Sequence, residues 1–151
     1  PRMPSLSLVI PLYNEEGNVA ELVREILAAL PSTDLELILV DDHSTDTTWE
    51  IMSAAAQEDP RVVILRNPTK GKVAGFNAAV ALSKGQWIHL LGGDDMLAPT
   101  CLEACRKVIE SSGPSLSGVY PPNWTITPTS VPFCCSTRRI SSTSSPVSGS
   151  K

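Results

Sequence analysis

Short runs of consecutive apolar residues alternate with helix-like periodicity along the first 110 positions of the chain. Short runs made mostly of apolar residues are typical of strands that are buried on both faces of a sheet. The sequence predicts four such strands, at residues 5–12, 35–40, 61–65 and 86–91. Each run is followed by a polar segment that contains glycine, asparagine or aspartate, as expected where a strand ends.

Between these runs, apolar residues recur at the i, i+3 and i+4 spacing of amphipathic helices. The predicted helices begin at Val19, near Asp46, at Gly71 and at Pro99. The third helix, residues 71–82, aligns Val73, Phe76 and Val80, which predicts that these three side chains face the core. Pro31 follows the first helix and is expected to end it.

Strand and helix alternate four times with short connections, which predicts parallel strands joined by right-handed crossovers with helices on both faces. The expected fold class is therefore α/β, with a Rossmann-like and mostly parallel sheet. Ligands of such sheets bind beyond the carboxyl ends of the strands. The residues just after each predicted strand are consequently the candidates for function.

Composition changes abruptly after Gly113. Residues 114–151 contain no aspartate or glutamate, and serine, threonine and proline dominate them. No helical or strand periodicity persists there, so this segment is predicted to be a disordered tail. The expected organisation is a partial ligand-binding domain at residues 1–113 and a tail at 114–151.

The overall charge excludes some function classes. The 151 residues carry a formal net charge of −4 and are 42% hydrophobic, which suits one globular domain without a basic nucleic-acid footprint. No apolar run reaches the roughly 20 residues that span a bilayer, and the four cysteines lack the spacing of zinc ligands. We expect a cytoplasmic chain, with membrane association only in a longer form of the protein.

The first strand is followed by an aromatic and several polar residues. Tyr13 could stack on a flat base, with Pro11 and Glu15 beside it. Alternatively, Asn14 caps the next helix and the acidic residues favour its dipole. The glycine-rich loops of dinucleotide-binding proteins and of P-loop NTPases are both missing from this position.

The second and third predicted strands are followed by charged residues. Asp42, next to Asp41, could accept hydrogen bonds from a uracil or a guanine while Ser44 or Thr45 caps the next helix. Alternatively, the two aspartates simply begin that helix. Lys70 and Lys72 could bind a diphosphate or be merely solvated. Asn77, further along that helix, is either buried and paired or directed into the cleft.

After the fourth strand, two glycines precede two carboxylates in Gly92-Gly93-Asp94-Asp95. Adjacent carboxylates suit Mg²⁺ or Mn²⁺, which binds one or two carboxylates together with a substrate diphosphate. Two buried strands that each end in paired aspartates are hard to explain by packing. Metal-bridged phosphate binding is therefore the leading hypothesis from the chemistry alone.

These segments, in this order, resemble the family 2 glycosyltransferases with the GT-A fold, including dolichol-phosphate and polyprenyl-phosphate sugar transferases. The resemblance covers residues 5–112. It depends on the segment from Pro11 to Glu15, on Val40-Asp41-Asp42 with Ser44 and Asp46, on residues 71–77, and on Gly92-Gly93-Asp94-Asp95. The usual first acid of the last segment is replaced by Gly92.

The resemblance implies a role for each matched position. Tyr13 would pack on the base, Asp42 would bind it with Asp41 nearby, and Lys70 or Lys72 would face the diphosphate. Asp94 and Asp95 would hold the Mg²⁺ or Mn²⁺ ion. The implied nucleotide-sugar site comprises Pro11, Tyr13, Glu15, Asp41, Asp42, Lys70, Lys72, Asn77 and Gly93.

The resemblance further implies an inverting, metal-assisted transfer of a sugar from a UDP- or GDP-linked donor in glycan or cell-wall synthesis. The acceptor would be a lipid phosphate, a glycan or another molecule, and a membrane surface could serve the full-length protein. The family's acceptor half and general base have no match after Gly113, so a truncated fragment that at most binds nucleotide is an alternative. A receiver-like signalling domain is disfavoured because its paired acids follow the first strand.

Overall fold

Nine helices and strands are described in a computed structural model of the chain, which covers residues 6–30, 34–93, 104, 107, 110, 111, 118–119 and 137–139. The helices are α1 (Val19–Ala29), α2 (Thr48–Glu58) and α3 (Lys72–Leu82). The strands are β1 (Leu6–Leu12), β2 (Leu35–Asp41), β3 (Val62–Arg66), β4 (Trp87–Leu90), β5 (Gly118–Val119) and β6 (Thr137–Arg139). The helix predicted to begin at Pro99 falls largely outside the described residues, although residues 104, 107, 110 and 111 are helical.

The strands form one sheet in the order β3-β2-β1-β4-β6-β5. β1 pairs in parallel with both β2 and β4, and β2 pairs in parallel with β3. The short strands β6 and β5 continue the sheet in antiparallel orientation. The mostly parallel sheet predicted from the strand and helix alternation is therefore confirmed.

Helices cover both faces of this sheet, also as predicted. On one face α1 and α2 pack against β1 and β2, where Leu8, Leu37 and Met52 are completely buried. On the other face α3 packs against the same strands, with Val9 and Ala79 inside. Every residue of β2 is buried, which explains why five of its seven residues are apolar.

The buried face of α3 differs from the prediction. Val73 is 72% exposed and Val80 is 39% exposed, whereas Gly75 and Ala79 are buried against the sheet. Phe76 is only partly buried, at the edge of this core. Small residues let the helix backbone lie close to β2, so the larger apolar side chains are displaced to the rim and the surface.

A hydrogen-bonded cluster closes the amino-terminal edge of the sheet. The Ser7 hydroxyl donates to the Glu36 carboxylate at 2.6 Å, and the Lys84 backbone amide donates to the same oxygen at 2.9 Å. The Gly85 amide donates to Ser7 Oγ at 2.9 Å. Because each buried polar group here has a partner within the chain, this edge is closed and the opposite edge remains for a ligand.

Two segments after Gly113 join the sheet, although the sequence there predicts no regular structure. β6 pairs with β4, and β5 pairs with β6. Pairing of this kind needs only backbone donors and acceptors, which the pattern of side chains does not reveal. The other residues of the predicted tail lie outside the described residues.

Candidate active site

The topology places a crevice at the carboxyl edge of the sheet. From β1 the chain proceeds to β2 and β3 on one side, while β4 lies on the other side of β1. Loops that leave β1 and β4 in opposite directions open a gap at such a switch point. The structure has a pocket there of about 240 Å³, lined by Pro11, Leu12, Tyr13, Glu15, Asp42, Lys72 and Gly93.

Six of the nine residues predicted for the nucleotide-sugar site line this pocket. They are Pro11, Tyr13, Glu15, Asp42, Lys72 and Gly93. Leu12, the buried last residue of β1, also lines it and was not predicted. The pocket thus brings together residues that are more than 80 positions apart in the sequence.

The other three predicted residues lie outside the pocket lining. Asp41 is completely buried at the end of β2. Lys70 lies over the ring of Tyr13. Asn77 is exposed on α3, so it is not buried and paired, and it is not among the residues that line the pocket. The helix is turned to bury Gly75 and Ala79, and that rotation carries Asn77 to the surface.

Asp41 anchors the loop that follows β2. Its Oδ1 accepts a hydrogen bond from the Ser44 amide at 3.2 Å. Its Oδ2 lies 3.3 Å from Arg66 Nε in an ion pair whose geometry is not that of a hydrogen bond. The Arg66 guanidinium in turn stacks over the Trp49 ring at 4.5 Å. Asp41 therefore holds the loop after β2 in place and does not line the pocket.

Asp42 is one of two carboxylates, with Glu15, that line the pocket. Its Oδ1 accepts two hydrogen bonds, from Asn67 Nδ2 at 2.7 Å and from the Gly71 amide at 2.8 Å. Among the described residues, none donates to Oδ2 of Asp42. One oxygen is therefore held by the protein, and the other is the acceptor that remains for a ligand.

Gly71 has a backbone φ of +128°, a conformation that L side chains rarely adopt. This geometry directs its amide at Asp42 immediately before α3 begins. Asn67, only 2% exposed, donates to the Gly71 carbonyl at 3.1 Å and steadies the same turn. No role was predicted for the Asn67 side chain, although it follows β3 just as Asp42 follows β2.

The two lysines near the pocket have different positions. Lys72 lines the pocket at the first residue of α3. Lys70 Nζ lies 4.6 Å from the centroid of the Tyr13 ring, a cation–π contact. Tyr13 is 46% exposed, so its ring is accessible on the pocket wall. Of the two cations considered for a diphosphate, Lys72 is the one that faces the cavity.

The loops after β1 and β2 are joined through Asn14. Its Oδ1 accepts a hydrogen bond from the Thr45 backbone amide at 2.8 Å, and the backbone amide of Asn14 donates to Ser44 Oγ at 3.0 Å. Asn14 does not cap α1, because the N-cap position is held by Asn18. Its φ of +53° lies in the left-handed region that asparagine tolerates, and this conformation directs the side chain across to the other loop.

Glu16 and Asp46 extend this connection. Glu16 Oε2 accepts from the amide of Thr47 at 3.1 Å and from its hydroxyl at 2.7 Å. Asp46 accepts from the amides of Thr48 at 3.0 Å and of Glu16 at 3.3 Å. Partial burial raises the pKa of Asp46, but hydrogen bonds from Thr48 and Glu16 outweigh that effect and lower it. The N-cap of α2 is Thr47, not Ser44 or Thr45 as predicted, and acidic side chains accept hydrogen bonds from the amides at the start of the helix.

Gly93 forms the pocket wall on the β4 side. A Cβ atom at this position would lie 2.9 Å from Leu12 Cδ2 and 3.0 Å from the Pro11 carbonyl oxygen, so a larger residue would require the Leu12 side chain and the β1 backbone to shift. The predicted metal ligands Asp94 and Asp95 follow it and lie outside the described residues.

Within the described part of the chain, no three histidine, cysteine, aspartate or glutamate side chains are grouped as a metal site. None of the described helices combines the length and apolar character needed to cross a bilayer.

Comparison with known proteins gives a consistent result. The sequence model of "Glycosyl transferase family 2" matches residues 7–133. Chondroitin synthase from Pasteurella multocida (strain Pm70) is 36% identical over 129 residues, which are 84% of this chain and 13% of that protein. The chain therefore spans a small part of this relative, and the family match continues 20 residues past the boundary predicted at Gly113.

Solved structures share the fold. The mannosyltransferase PcManGT from Pyrobaculum calidifontis, in complex with GDP-Man and Mn²⁺, matches with a TM-score of 0.58 at 25% identity, over 78% of this chain and 35% of that one. S. aureus TarS 1-349, in complex with UDP-GlcNAc, matches with a TM-score of 0.54 at 25% identity, over 70% of this chain and 31% of that one. The Rossmann-like sheet with helices on both faces is thus the fold of known glycosyltransferases.

Proposed function

The chain belongs to glycosyl transferase family 2, and from this premise we propose that its pocket binds the nucleoside diphosphate of a sugar donor. The observation that carries the proposal is the convergence of Tyr13, Asp42 and Lys72 on one cavity. An aromatic face, a carboxylate acceptor and a cation are what a base and a diphosphate require. Family membership also excludes the receiver-like alternative.

Different residues of the pocket contact different parts of the proposed donor. The exposed ring of Tyr13 stacks on the base, and Asp42 accepts a hydrogen bond from the base edge through Oδ2. Lys72, at the start of α3, offers its ammonium group to the diphosphate, where the helix N-terminus adds partial positive charge. The 240 Å³ volume is below the roughly 300–1,000 Å³ of clefts that enclose a drug-sized ligand, so the pocket holds one end of the donor.

Asp94 and Asp95 are proposed to hold Mg²⁺ or Mn²⁺. Support comes from their position directly after Gly93, which lines the pocket, and from the Mn²⁺ in the complex of the mannosyltransferase PcManGT. Paired carboxylates supply the hard oxygen ligands that such ions prefer. When bound, the cation would neutralise charge on the departing nucleoside diphosphate.

The proposed reaction of the whole protein is displacement at the anomeric carbon of the donor sugar with inversion. The acceptor oxygen forms the new glycosidic bond, and the bond to the nucleoside diphosphate breaks. A lipid phosphate, a glycan or another molecule is the proposed acceptor, and residues 1–113 are the proposed donor half. Binding of the donor by the present chain is the step that its own residues can be tested for.

The proposal is tested by calorimetric titration of the chain with UDP-GlcNAc and GDP-mannose, with and without Mn²⁺. We expect binding that Mn²⁺ strengthens, and loss of that strengthening in Asp94→Ala. Absence of binding to either nucleotide sugar, or equal Mn²⁺ dependence in Asp94→Ala, would overturn the respective part of the proposal. A full-length relative carrying the same substitution reports on turnover.

Asp42→Asn is the sharpest variant for the base contact. The amide oxygen of asparagine can still accept from Asn67 and Gly71, while its NH₂ group replaces the acceptor that faces the pocket. A lost hydrogen bond to a charged group costs about 1.5–3 kcal/mol, so affinity should fall roughly 10- to 150-fold. Glu50→Gln, on the exposed surface of α2, is the matched control and should bind as the unmodified chain does.

A further inference from the structure

The side chain of Asn67 is buried between Asp42, which lines the pocket, and Gly71, which directly precedes the pocket residue Lys72. It is 2% exposed, and its Nδ2 donates both to Asp42 Oδ1 at 2.7 Å and to the Gly71 carbonyl at 3.1 Å. Gly71 closes the triangle, because its amide donates to the same Oδ1 at 2.8 Å. The three residues therefore fix one another's orientation at the end of β3.

We infer that Asn67 is a positioning residue that leaves Asp42 a single acceptor oxygen, so that the pocket selects uracil over guanine. The inference rests on the proposed function, since it names the base of the donor that the pocket would bind. Asn67 itself acts through Asp42 and needs no contact with the base. Neither the motif resemblance nor the names of the relatives distinguish between the two bases.

The number of available acceptors follows from the geometry at Asp42. Each carboxylate oxygen has two lone-pair sites, and Oδ1 already accepts two short hydrogen bonds from Asn67 and Gly71. Asn67 is buried, so turning its amide away from Asp42 would leave a buried donor unsatisfied, which is costly. Of the two Asp42 oxygens, Oδ2, to which no described residue donates, is the one left for a ligand.

The donor patterns of the bases distinguish the candidates. Uracil presents one imino N–H between two carbonyl oxygens, which a single carboxylate oxygen satisfies. Guanine presents an imino N–H and an adjacent amino group, and these pair best with both oxygens of a carboxylate at once. Cytosine and adenine present an unprotonated ring nitrogen at this edge, which a carboxylate repels. One free oxygen therefore favours uracil.

Removing the Asn67 amide should relax this selectivity. Without Nδ2, Oδ1 of Asp42 keeps only the Gly71 amide, and the carboxylate can rotate to present both oxygens. Affinity for UDP should then fall, because the acceptor is no longer held in place, while GDP gains a second acceptor. The ratio of the two affinities is the quantity that a general loss of stability would not change.

The first experiment uses the unmodified chain with Mn²⁺ and three ligands: UDP, 3-methyl-UDP and GDP. Methylation at N3 removes the imino donor and leaves the rest of the nucleotide unchanged. We expect UDP to bind at least about tenfold more tightly than either other ligand, the effect of roughly 1.4 kcal/mol. Equal binding of UDP and 3-methyl-UDP, or tighter binding of GDP, would overturn the inference.

The second experiment repeats the titrations with Asn67→Ala and Asn67→Ser, and with Gln57→Ala as a control on the exposed side of α2. The preference for UDP over GDP should fall several-fold in both Asn67 variants and stay unchanged in the control. An unchanged preference in a folded Asn67 variant would overturn the positioning role. If neither variant folds, the ligand series with the unmodified chain still decides the selectivity.

Failure of the donor site and failure of its base selectivity give different results. If the chain binds no nucleoside diphosphate at all, the proposed function and the inference both fall. If UDP and GDP bind with similar affinity, the donor site stands and the inference about Asn67 is wrong. A selective chain whose selectivity depends on Asn67 supports both.

Discussion

Asn14 and Thr45, 31 residues apart in the chain, are joined by a 2.8 Å hydrogen bond from the Thr45 amide to Asn14 Oδ1. This contact links the loop after β1, which carries Tyr13, to the loop after β2, which carries Asp42. A second bond, from the Asn14 amide to Ser44 Oγ, runs alongside it. The two proposed base-binding residues therefore lie on loops that are held to each other.

The first prediction concerns this connection. Asn14→Gly removes the side-chain acceptor but tolerates the φ of +53°, so it separates the hydrogen bond from backbone strain. Loss of the bond should destabilise the chain by only about 0.5–1.5 kcal/mol and weaken nucleotide binding several-fold. Calorimetric titration and urea unfolding measure the two effects. A binding constant equal to that of the unmodified chain would show that the connection does not position the pocket.

The second prediction concerns the strained turn before α3. Gly71→Ala places a Cβ atom on a backbone with φ of +128° and should cost on the order of 1–3 kcal/mol, measured by urea unfolding. Gly17→Ala is the matched control, because a Cβ atom added there would meet no other atom within 4 Å and its φ is ordinary. Equal effects of the two substitutions would contradict the described conformation of Gly71.

The third prediction tests which face of α3 is buried. Ala79 is completely buried, so Ala79→Leu overpacks the contact with the sheet and should destabilise by about 1–3 kcal/mol. Ala81→Leu adds the same group to the exposed surface of the helix and should change stability by less than about 0.5 kcal/mol. Thermal or urea unfolding compares the pair. A larger loss of stability in Ala81→Leu than in Ala79→Leu would contradict the described orientation of α3.

The fourth prediction concerns pH. His89 is completely buried in β4, and burial lowers its pKa from 6.5 to about 4. Between these two values the unfolded chain binds a proton that the folded chain does not, so stability falls as the pH is lowered from about 6.5 to 4 and the effect levels off below that. The full contribution is up to about 3 kcal/mol.

His89→Leu should remove this part of the pH dependence, as measured by urea unfolding at pH 7, 5.5 and 4. His43→Asn is the control, because His43 is exposed in the loop after β2 and asparagine tolerates its φ of +64°. A slope that is unchanged in His89→Leu would contradict the assignment. The hydrogen bond with Arg61 lowers the pKa of Asp59 from its ordinary value of 3.8. Its contribution to stability is therefore lost only below about pH 3.8, outside the range of the His89 effect.

The sheet could be predicted from the sequence because its strands are buried on both faces. The segment Leu35–Asp41 is entirely buried, and its central residues 37–40 are all apolar, which makes the strand easy to recognise. α1 was predicted for a similar reason, since Val19, Val23 and Ile26 lie on one face at helical spacing. Strong burial of large side chains leaves a clear periodicity.

The orientation of α3 could not be predicted in the same way. Its contact with the sheet is made by Gly75 and Ala79, whose side chains contribute little to any hydrophobic periodicity. Val73 and Val80 dominate the pattern yet lie at the surface. Close packing between backbones selects small residues, and a prediction that weighs apolar size assigns the helix to the wrong face. Asn77 was predicted to share the face of Val73 and Phe76, and it too is exposed.

The pocket was predicted in part because polar residues after buried strands are conspicuous. Tyr13, Asp42 and Gly93 each follow a strand and line the cavity. The roles of Asn14 and Asn67 were missed because each depends on contacts with residues 25 or more positions away. Such partners become neighbours only when the loops fold together, and local sequence does not specify them.

One pocket, between the loops after β1, β2 and β4, is proposed to bind the nucleoside diphosphate. Amide chemical-shift changes in the 15N-labelled chain, titrated with UDP and Mg²⁺, test this most directly. We predict saturable shifts at Leu12, Tyr13, Asp42, Gly71 and Gly93, and unchanged signals at Ser7 and Glu36 on the closed opposite edge. Shifts centred on that opposite edge, or none at saturating UDP, would contradict the proposed site.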